Sequence, residues 1–533
     1  MKIRLTLLSA ALAVSVTTAL IAEAPPARHV IVVVFDGMRP DFVSSVITPN
    51  LWQLAQDGVF FANHHPVYCS STEVNGTAIA TGAYPSHSFV IANSEYRPGI
   101  DPQKAIGTSQ LPTVRKGDEL SGGRYLGVAT LAEYLHTQGV ATAISGSKAI
   151  AILHDRSGRS PLVFAGKALA KATEDEVVAA IGAFPASGVD ATTGRQDRLL
   201  RDDWTTRALT DVLWKNGVPA YSLLWLAEPD ESEHSFGPGS SQAIIARKNS
   251  DANLGRVLAT LEKRGLRAST DVLVVADHGM STISRKIDVA GELSKAGFDA
   301  TRAVPGGLKS GQVLVVTNSG TVLLYVGAHD TVVTHRLAAW LPTQDWVGTI
   351  LSREPAEGTF ALAEAHIDSP GAPDFAVALH WSDSRSATGA SGQLTADDSG
   401  RGIGQGTHGS LSAYDLHNTL IAAGPDFKRG VRDPLPSANF DVTPTVLHLL
   451  GFREEAAKRD GRVLSEALTI AAPPLQKLEF KRLQAQCDTP VGKWTQYLQV
   501  SEVNGVRYLD EGNGTLLPKE QFAQAGATAT LSR

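Results

Sequence analysis

Cysteine is nearly missing from this 533-residue chain: only Cys69 and Cys487 occur. Two thiols exclude a disulfide-stapled scaffold and a thiolate zinc framework, and leave room for one bridge at most. An excess of one charge is lacking too. Lys and Arg total 48 against 54 Asp and Glu, a formal net charge of −6, so nothing draws the chain as a whole to nucleic-acid backbones or anionic bilayers. With 43% hydrophobic and 19% charged residues, there is enough apolar surface to offset the ordering entropy of folding, which excludes a disordered chain. No repeat of fixed period is present. Beyond the N-terminus there is also no run of about 18 uninterrupted apolar residues, so no later segment is expected to cross a bilayer.

The N-terminus is different. Lys2 and Arg4 precede an apolar run over residues 5–22, followed by Glu23-Ala24-Pro25-Pro26. This reads as a secretory signal peptide over residues 1–24 and predicts export, to a periplasm or the extracellular space. The Ser and Thr content of the run argues against a retained membrane anchor, and no Cys follows it to carry a lipid.

The length exceeds one compact core of ordinary size. His29–Phe35 (HVIVVVF) is a continuous β-branched run, the pattern of a strand buried on both faces of a parallel sheet. Similar runs recur at 140–144, 221–227, 271–276 and 419–423, and segments with helical spacing lie at 49–56, 128–136, 197–215 and 243–264. This alternation predicts a three-layer α/β fold with functional residues at the carboxyl ends of the strands. Gly, Ser and Thr rise between Met280 and His408, and residues 382–405 have loop composition. The expected organisation is therefore a core over 25–285, an inserted cap-like subdomain over 286–404, a second core segment over 405–470 and an accessory segment over 471–533. Within the last, Asn504-Gly505 is a hairpin turn signal.

Chemistry-bearing residues collect just past the predicted strands. Asp36 follows the first. Asp277 and His278 follow another, and adjacent oxygen and nitrogen ligands there suit zinc. Asp230 and His234 lie four apart after a third strand, on one face if that segment is helical; alone, such a pair is as readily a surface helix pair. His408 stands in a Gly-rich loop. Together these offer three carboxylates and three imidazoles, a set that suits zinc and is also compatible with manganese or iron.

These blocks, with the stretch Ser71-Thr72-Glu73-Val74-Asn75 leading to Thr81-Gly82-Ala83-Tyr84-Pro85-Ser86-His87 and on to Asn93, Tyr96 and Pro98, resemble the type I phosphodiesterase/nucleotide pyrophosphatase family of the alkaline phosphatase superfamily. The resemblance covers about residues 28–455 and is weakest over 285–400. It implies an αβα alkaline-phosphatase-like core and two zinc ions per chain. Asp230, His234 and His408 would hold one ion, and Asp36, Asp277, His278 and the Thr72 oxygen the other. The implied reaction is hydrolysis of a phosphodiester or pyrophosphate bond of a small, nucleotide-type substrate through a phosphothreonine on Thr72, with Asn75 donating to a non-bridging oxygen. The chemistry agrees with that layout, because paired metal ions about 4 Å apart clamp the attacking and leaving oxygens of an in-line displacement, and a Thr hydroxyl needs such activation to attack.

Alternatives stay open. The same machinery would serve a phosphomonoesterase or a phosphonate hydrolase, and a non-catalytic binding module is a further reading that a complete ligand set argues against. A sulfatase motif is absent around Cys69. Many relatives carry an aromatic residue and Pro where this chain has Glu73 and Val74, so Glu73 is a candidate pocket residue. Lys148, after the 140–144 run, is a candidate contact for a substrate anion, and Arg39 is another cation near a strand end. As a bland alternative, Asn75 caps a helix.

Overall fold

The computed structural model describes residues 29–188, 196–470 and 477–519; the expected signal peptide lies outside the described residues. At its centre is β1 (His29–Phe35), flanked in parallel register by the Tyr221–Leu226 and Thr270–Val275 strands. Side chains of a strand alternate between faces. Val30, Val32 and Val34 accordingly pack with Ile79, Leu153 and Trp225 on one side, and Ile31, Val33 and Phe35 with Leu51, Leu54, Leu254 and Val257 on the other. A strand with two apolar faces needs cover on both, and helices supply it. α1 (Pro49–Asp57) and the Ser241–Lys263 helix cover one face, and α2 (Thr72–Thr81) and the Val442–Leu449 helix the other. This is the αβα core that the sequence predicts.

The full sheet has nine strands, in the order 431–438, β2 (Val59–His65), 420–423, 270–275, β1, 221–226, 142–146, 162–164 and 167–168. It is mixed rather than wholly parallel. Leu420–Ala423 runs antiparallel to both neighbours, because the chain reaches it from His408, already at the carboxyl edge of the sheet, and must run back. Parallel pairing of β1 with 221–226 and 270–275, and of 221–226 with Thr142–Gly146, brings four strand ends to one edge.

A second, six-stranded sheet takes its strands from between residues 299 and 379. One face, with Leu314, Val316 and Leu323, packs against Tyr68, Cys69 and Ile91 of the core. Residues 382–405, of loop composition, contain part of a small sheet. Ser391–Leu394 pairs with Trp381–Arg385 and with Ser281–Ile283, and Ser281 in turn faces Thr407 across an antiparallel pair. That last pairing draws the chain just after His278 alongside the chain just before His408. The C-terminal hairpin forms as its turn signal predicts: Asn504 (φ 51°) and Gly505 (φ 88°) join the Gly492–Val503 and Val506–Pro518 strands. Its Leu498 and Val500 are buried against the second sheet.

Candidate metal centre

The carboxyl edge of the sheet delivers the ligands. β1 ends at Phe35, so Asp36 is the first residue past it; Asp277 and His278 follow Val275 in the same way, and Asp230 opens a helix (Asp230–Phe236) after the 221–226 strand. Gly37 has φ +75°, and a Cβ there would lie 3.0 Å from the Cβ of Asp230. Glycine at this turn therefore lets Asp36 and Asp230 approach each other. The helix places His234 one turn beyond Asp230, with Nε2 3.1 Å from Asp230 Oδ1. His408 Nε2 lies 3.7 Å from the same oxygen, and His278 Nε2 4.0 Å.

Two groups result. Asp230, His234 and His408 converge as one, and Asp36, Asp230 and His278 as another, with ligand atoms in each within 4.8 Å of one another. Asp277 Oδ2 is 3.3 Å from His278 Nε2 and joins the second group. Asp230 thus sits between both groups, whereas the resemblance assigns it to one ion.

Each imidazole is oriented by a backbone carbonyl at Nδ1: Gly406 O for His234 at 2.8 Å, Gly279 O for His278 at 2.8 Å and Ser70 O for His408 at 2.9 Å. A carbonyl only accepts, so Nδ1 carries the proton and the Nε2 lone pair faces inward, the arrangement that metal-ligating histidines use. Among the carboxylates, Asp36 Oδ1, Asp230 Oδ1 and Asp277 Oδ2 are buried without a hydrogen-bond partner. Unpartnered buried carboxylate oxygens are costly unless a cation joins them. Their other oxygens are fixed: Trp225 Nε1 donates to Asp36 Oδ2 at 2.8 Å, and Gly37 N donates to Asp277 Oδ1 at 3.0 Å. Donor set, inward lone pairs and orphaned oxygens all fit a pair of zinc ions.

Thr72 is brought to this centre by α2, whose first residue it is. Gly76, one turn on, has no side chain, and a Cβ there would stand 2.4 Å from Ile150 Cγ1 and 3.0 Å from Trp225 Cη2. The helix therefore lies directly on Trp225, the residue that also holds Asp36. Thr72 Oγ1 is 3.2 Å from His278 Nε2, and a helix N-terminus favours an anion beside it.

Residues 30–382 match the family described as type I phosphodiesterase/nucleotide pyrophosphatase. The chain belongs to this family. It is 24% identical over 257 residues to a venom phosphodiesterase of Naja atra, covering 47% of this chain and 26% of that protein. With ectonucleotide pyrophosphatase/phosphodiesterase family member 7 of Mus musculus the identity is again 24%, over 51% of this chain and 55% of the relative. The chain thus spans roughly a quarter to a half of the length of these curated relatives. A structure of murine ectonucleotide pyrophosphatase/phosphodiesterase 5, an inactive form in complex with AMP, superposes with a TM-score of 0.58 at 15% identity, over 83% of this chain and all of that one. The family's alkaline-phosphatase-like fold is therefore that of this chain.

Within this family frame, several side chains fall where the sequence does not place them. Asn75 is not turned toward the reacting centre. It lies inside α2, fully buried; its amide donates to Val67 O and Ser71 O, both at 3.1 Å, and its oxygen accepts from Val67 N at 2.7 Å and Asn439 Nδ2 at 3.0 Å. Both amide protons are spent on the loop before Thr72, so the expected donation to a phosphoryl oxygen is corrected to a loop-holding role, and so is the helix-capping reading. Asn75→Ala is expected to lower unfolding free energy by ~3 kcal/mol or more, since several buried partners lose their mate, as read from a urea unfolding midpoint. A midpoint equal to wild type would place the side chain elsewhere.

Asn93, rather than Asn75, lies against the start of α2 on the Glu73 side. Its Oδ1 accepts from Glu73 N at 2.9 Å, one residue from Thr72, and among the described residues nothing accepts from its amide NH2. In the sequence, Asn93 belongs to the stretch that resembles the family.

Lys148 follows the Thr142–Gly146 strand, and its Nζ lies 2.6 Å from Asp230 Oδ2 and 2.9 Å from Asp36 Oδ2. Two buried carboxylates share this ammonium. Burial pushes Asp36 well above the usual carboxylate range, and the Asp277 charge adds to that. Burial acts on Asp230 in the same direction, but His234 and Lys148 outweigh it and hold that carboxyl well below. Glu73 accepts from Ser109 Oγ at 2.9 Å through Oε1, while Oε2 is buried without a partner, and burial raises its pKa. Arg39 is excluded as a substrate contact: it is buried and spends its donors on Asp41, Met280 O and Ser391 O. The two cysteines are unpaired, and burial pushes the Cys69 thiol up to about 12, which removes it as a nucleophile.

Proposed function

We propose that the protein is an exported hydrolase that cleaves phosphodiester or pyrophosphate bonds of small, nucleotide-type substrates, with Thr72 as nucleophile and two zinc ions held by Asp36, Asp230, His234, Asp277, His278 and His408. The observation that carries this reading is the placement of Thr72 Oγ1 3.2 Å from His278 Nε2, at the edge of two ligand groups that share Asp230. Bound zinc would favour the ionised hydroxyl and withdraw charge from the departing oxygen. The chain's own residues do the rest. The first turn of α2 and the Asn93 amide hold the phosphoryl oxygens, Thr72 Oγ attacks phosphorus and displaces the leaving oxygen, and water then cleaves the phosphothreonine ester. Export is supported by the N-terminal run of residues 5–22; among the described residues no helix is long and apolar enough to cross a membrane.

A second reading, hydrolysis of a monoester or phosphonate, is favoured by one observation, the Lys148 ammonium among the ligands. A dianionic group has one more negative oxygen to satisfy, and Lys148 is the cation at hand. Glu73 opposes it, since a carboxyl beside the nucleophile disfavours extra negative charge. Comparing kcat/KM for nitrophenyl phosphate and for a nitrophenyl nucleotide diester decides between them. The diester is expected to be the better substrate, and a monoester preference that vanishes in Lys148→Ala would establish the second reading instead.

A further inference from the structure

The strip from Arg401 to Gly406 runs beside the Asp230/His234/His408 group. At one end Arg401 Nη1 donates to Ser319 Oγ at 3.0 Å. Ser319 lies between two residues tied to the centre. Asn318 bonds both backbone groups of Ser94, next to Asn93, and Gly320 N donates to His408 O at 2.7 Å. At the other end, Gln405 Nε2 donates to Ser235 O at 3.0 Å and Gly406 O holds the His234 ring. Between them Gly404 O packs on Gly237, where a Cβ would come within 2.3 Å. The strip thus reaches from the His408 side to the His234 side, and its one charged side chain is Arg401.

Among the described residues Arg401 also has no ion-paired counter-charge. The nearby carboxylates are committed. Asp397 accepts from Ser399 and Thr407, and Asp398 from Arg302, Thr317 and Val289 N. Among the described residues no carboxylate is ion-paired with Arg401, which is half-buried. Lys148, by contrast, is held by two.

In-line displacement puts the departing oxygen opposite the attacking one. Thr72 stands at His278, so the oxygen leaves toward the Asp230/His234/His408 group, the side on which Ser319, the anchor of Arg401, adjoins the Gly320–His408 contact. We infer that Arg401 is a specificity residue that binds an anionic group carried by the leaving part of the substrate. The inference rests on the reaction proposed above and deepens it. Attack forms the Thr72 Oγ–P bond and breaks the bond from that phosphorus to the bridging oxygen. The electron pair stays on that oxygen, and the hydroxyl proton passes to solvent. When the bridging oxygen belongs to a second phosphoryl group, charge accumulates where a guanidinium with free donors can take it, in a bidentate geometry that suits phosphate. An aryl leaving group offers nothing for it to bind.

The test compares wild type, Arg401→Ala and Arg401→Lys on ATP, whose leaving group is pyrophosphate, and on thymidine 5′-monophosphate nitrophenyl ester. The ratio of the two kcat/KM values should fall roughly 10- to 100-fold in Arg401→Ala, the size of one lost charge-assisted contact, and should recover in part in Arg401→Lys. An unchanged ratio, whether both activities fall together or neither does, overturns the assignment. A second readout does not need turnover. In a zinc-loaded Thr72→Ala background, calorimetric affinity for adenosine 5′-(α,β-methylene)diphosphate relative to AMP should fall by a similar factor when Arg401→Ala is added. If wild type turns over neither ester while the affinity ratio still depends on Arg401, the proposed reaction fails and the Arg401 site stands. If both esters are turned over and neither ratio moves, the site fails and the reaction stands.

Discussion

Thr72→Ala is expected to lower kcat by about 10³-fold or more on every substrate the enzyme accepts, with the fold intact. The substitution removes the attacking oxygen and costs little else. Thr72 is the first residue of α2, and among the described residues no hydrogen bond other than the one to His278 Nε2 anchors its hydroxyl. Alanine is also a good helix former, so the thermal midpoint should stay close to that of wild type. Thr72→Ser should retain part of the activity, because it supplies the same hydroxyl without the methyl that restricts its rotamer. Near-normal turnover by Thr72→Ala would mean that water attacks phosphorus directly, and the covalent route would have to be given up.

The second large effect concerns metal. Elemental analysis of active protein should give close to two transition-metal ions per chain. Asp230→Ala should remove more metal than any other single ligand substitution, because Asp230 Oδ1 faces both groups. His234→Ala, on the outer side of one group, should mainly affect one ion. Chelation should abolish activity and also lower the thermal midpoint, since it leaves Asp36, Asp230 and Asp277 buried and close together without the ions that would offset their charge. A stoichiometry near zero in active protein would refute the assignment. Equal metal loss in Asp230→Ala and His234→Ala would refute the bridging position.

These two predictions rest on residues of unequal legibility. The core strand, its two apolar faces and the acidic or imidazole residues just past the strand ends could be read from the chain, because burial on both faces imposes a continuous apolar run and the fold puts function at the carboxyl edge. The helix spacing of Asp230 and His234 was equally local. The antiparallel Leu420–Ala423 strand was not readable as such, because strand direction depends on where the preceding loop enters the sheet and leaves no mark in composition.

Side-chain roles around Thr72 separate along the same line. Asn75 lies three residues from Thr72, the proposed nucleophile, and sequence proximity made it the natural donor. Its partners include Val67 and Asn439, 364 positions away, and only the packed fold sets that hydrogen-bond demand. Asn93, farther along the chain, is the one brought to the Glu73 amide. Arg401 sits in a stretch of loop composition, and nothing local distinguishes it from a solvated arginine; its anchor on Ser319 is 82 positions away.

The sequence by itself determined the buried parallel strands, the family and the six candidate metal ligands proposed with Thr72, because those depend on local periodicity and on short motifs at strand ends. The tertiary structure alone decided that Asp230 faces both ligand groups, that Lys148 lies among the carboxylates, and which partners hold Asn75 and Asn93. A side chain's role is set by which partners satisfy its buried polar atoms, and here those partners come from distant segments that meet only when the sheet, the insertion and α2 have packed together.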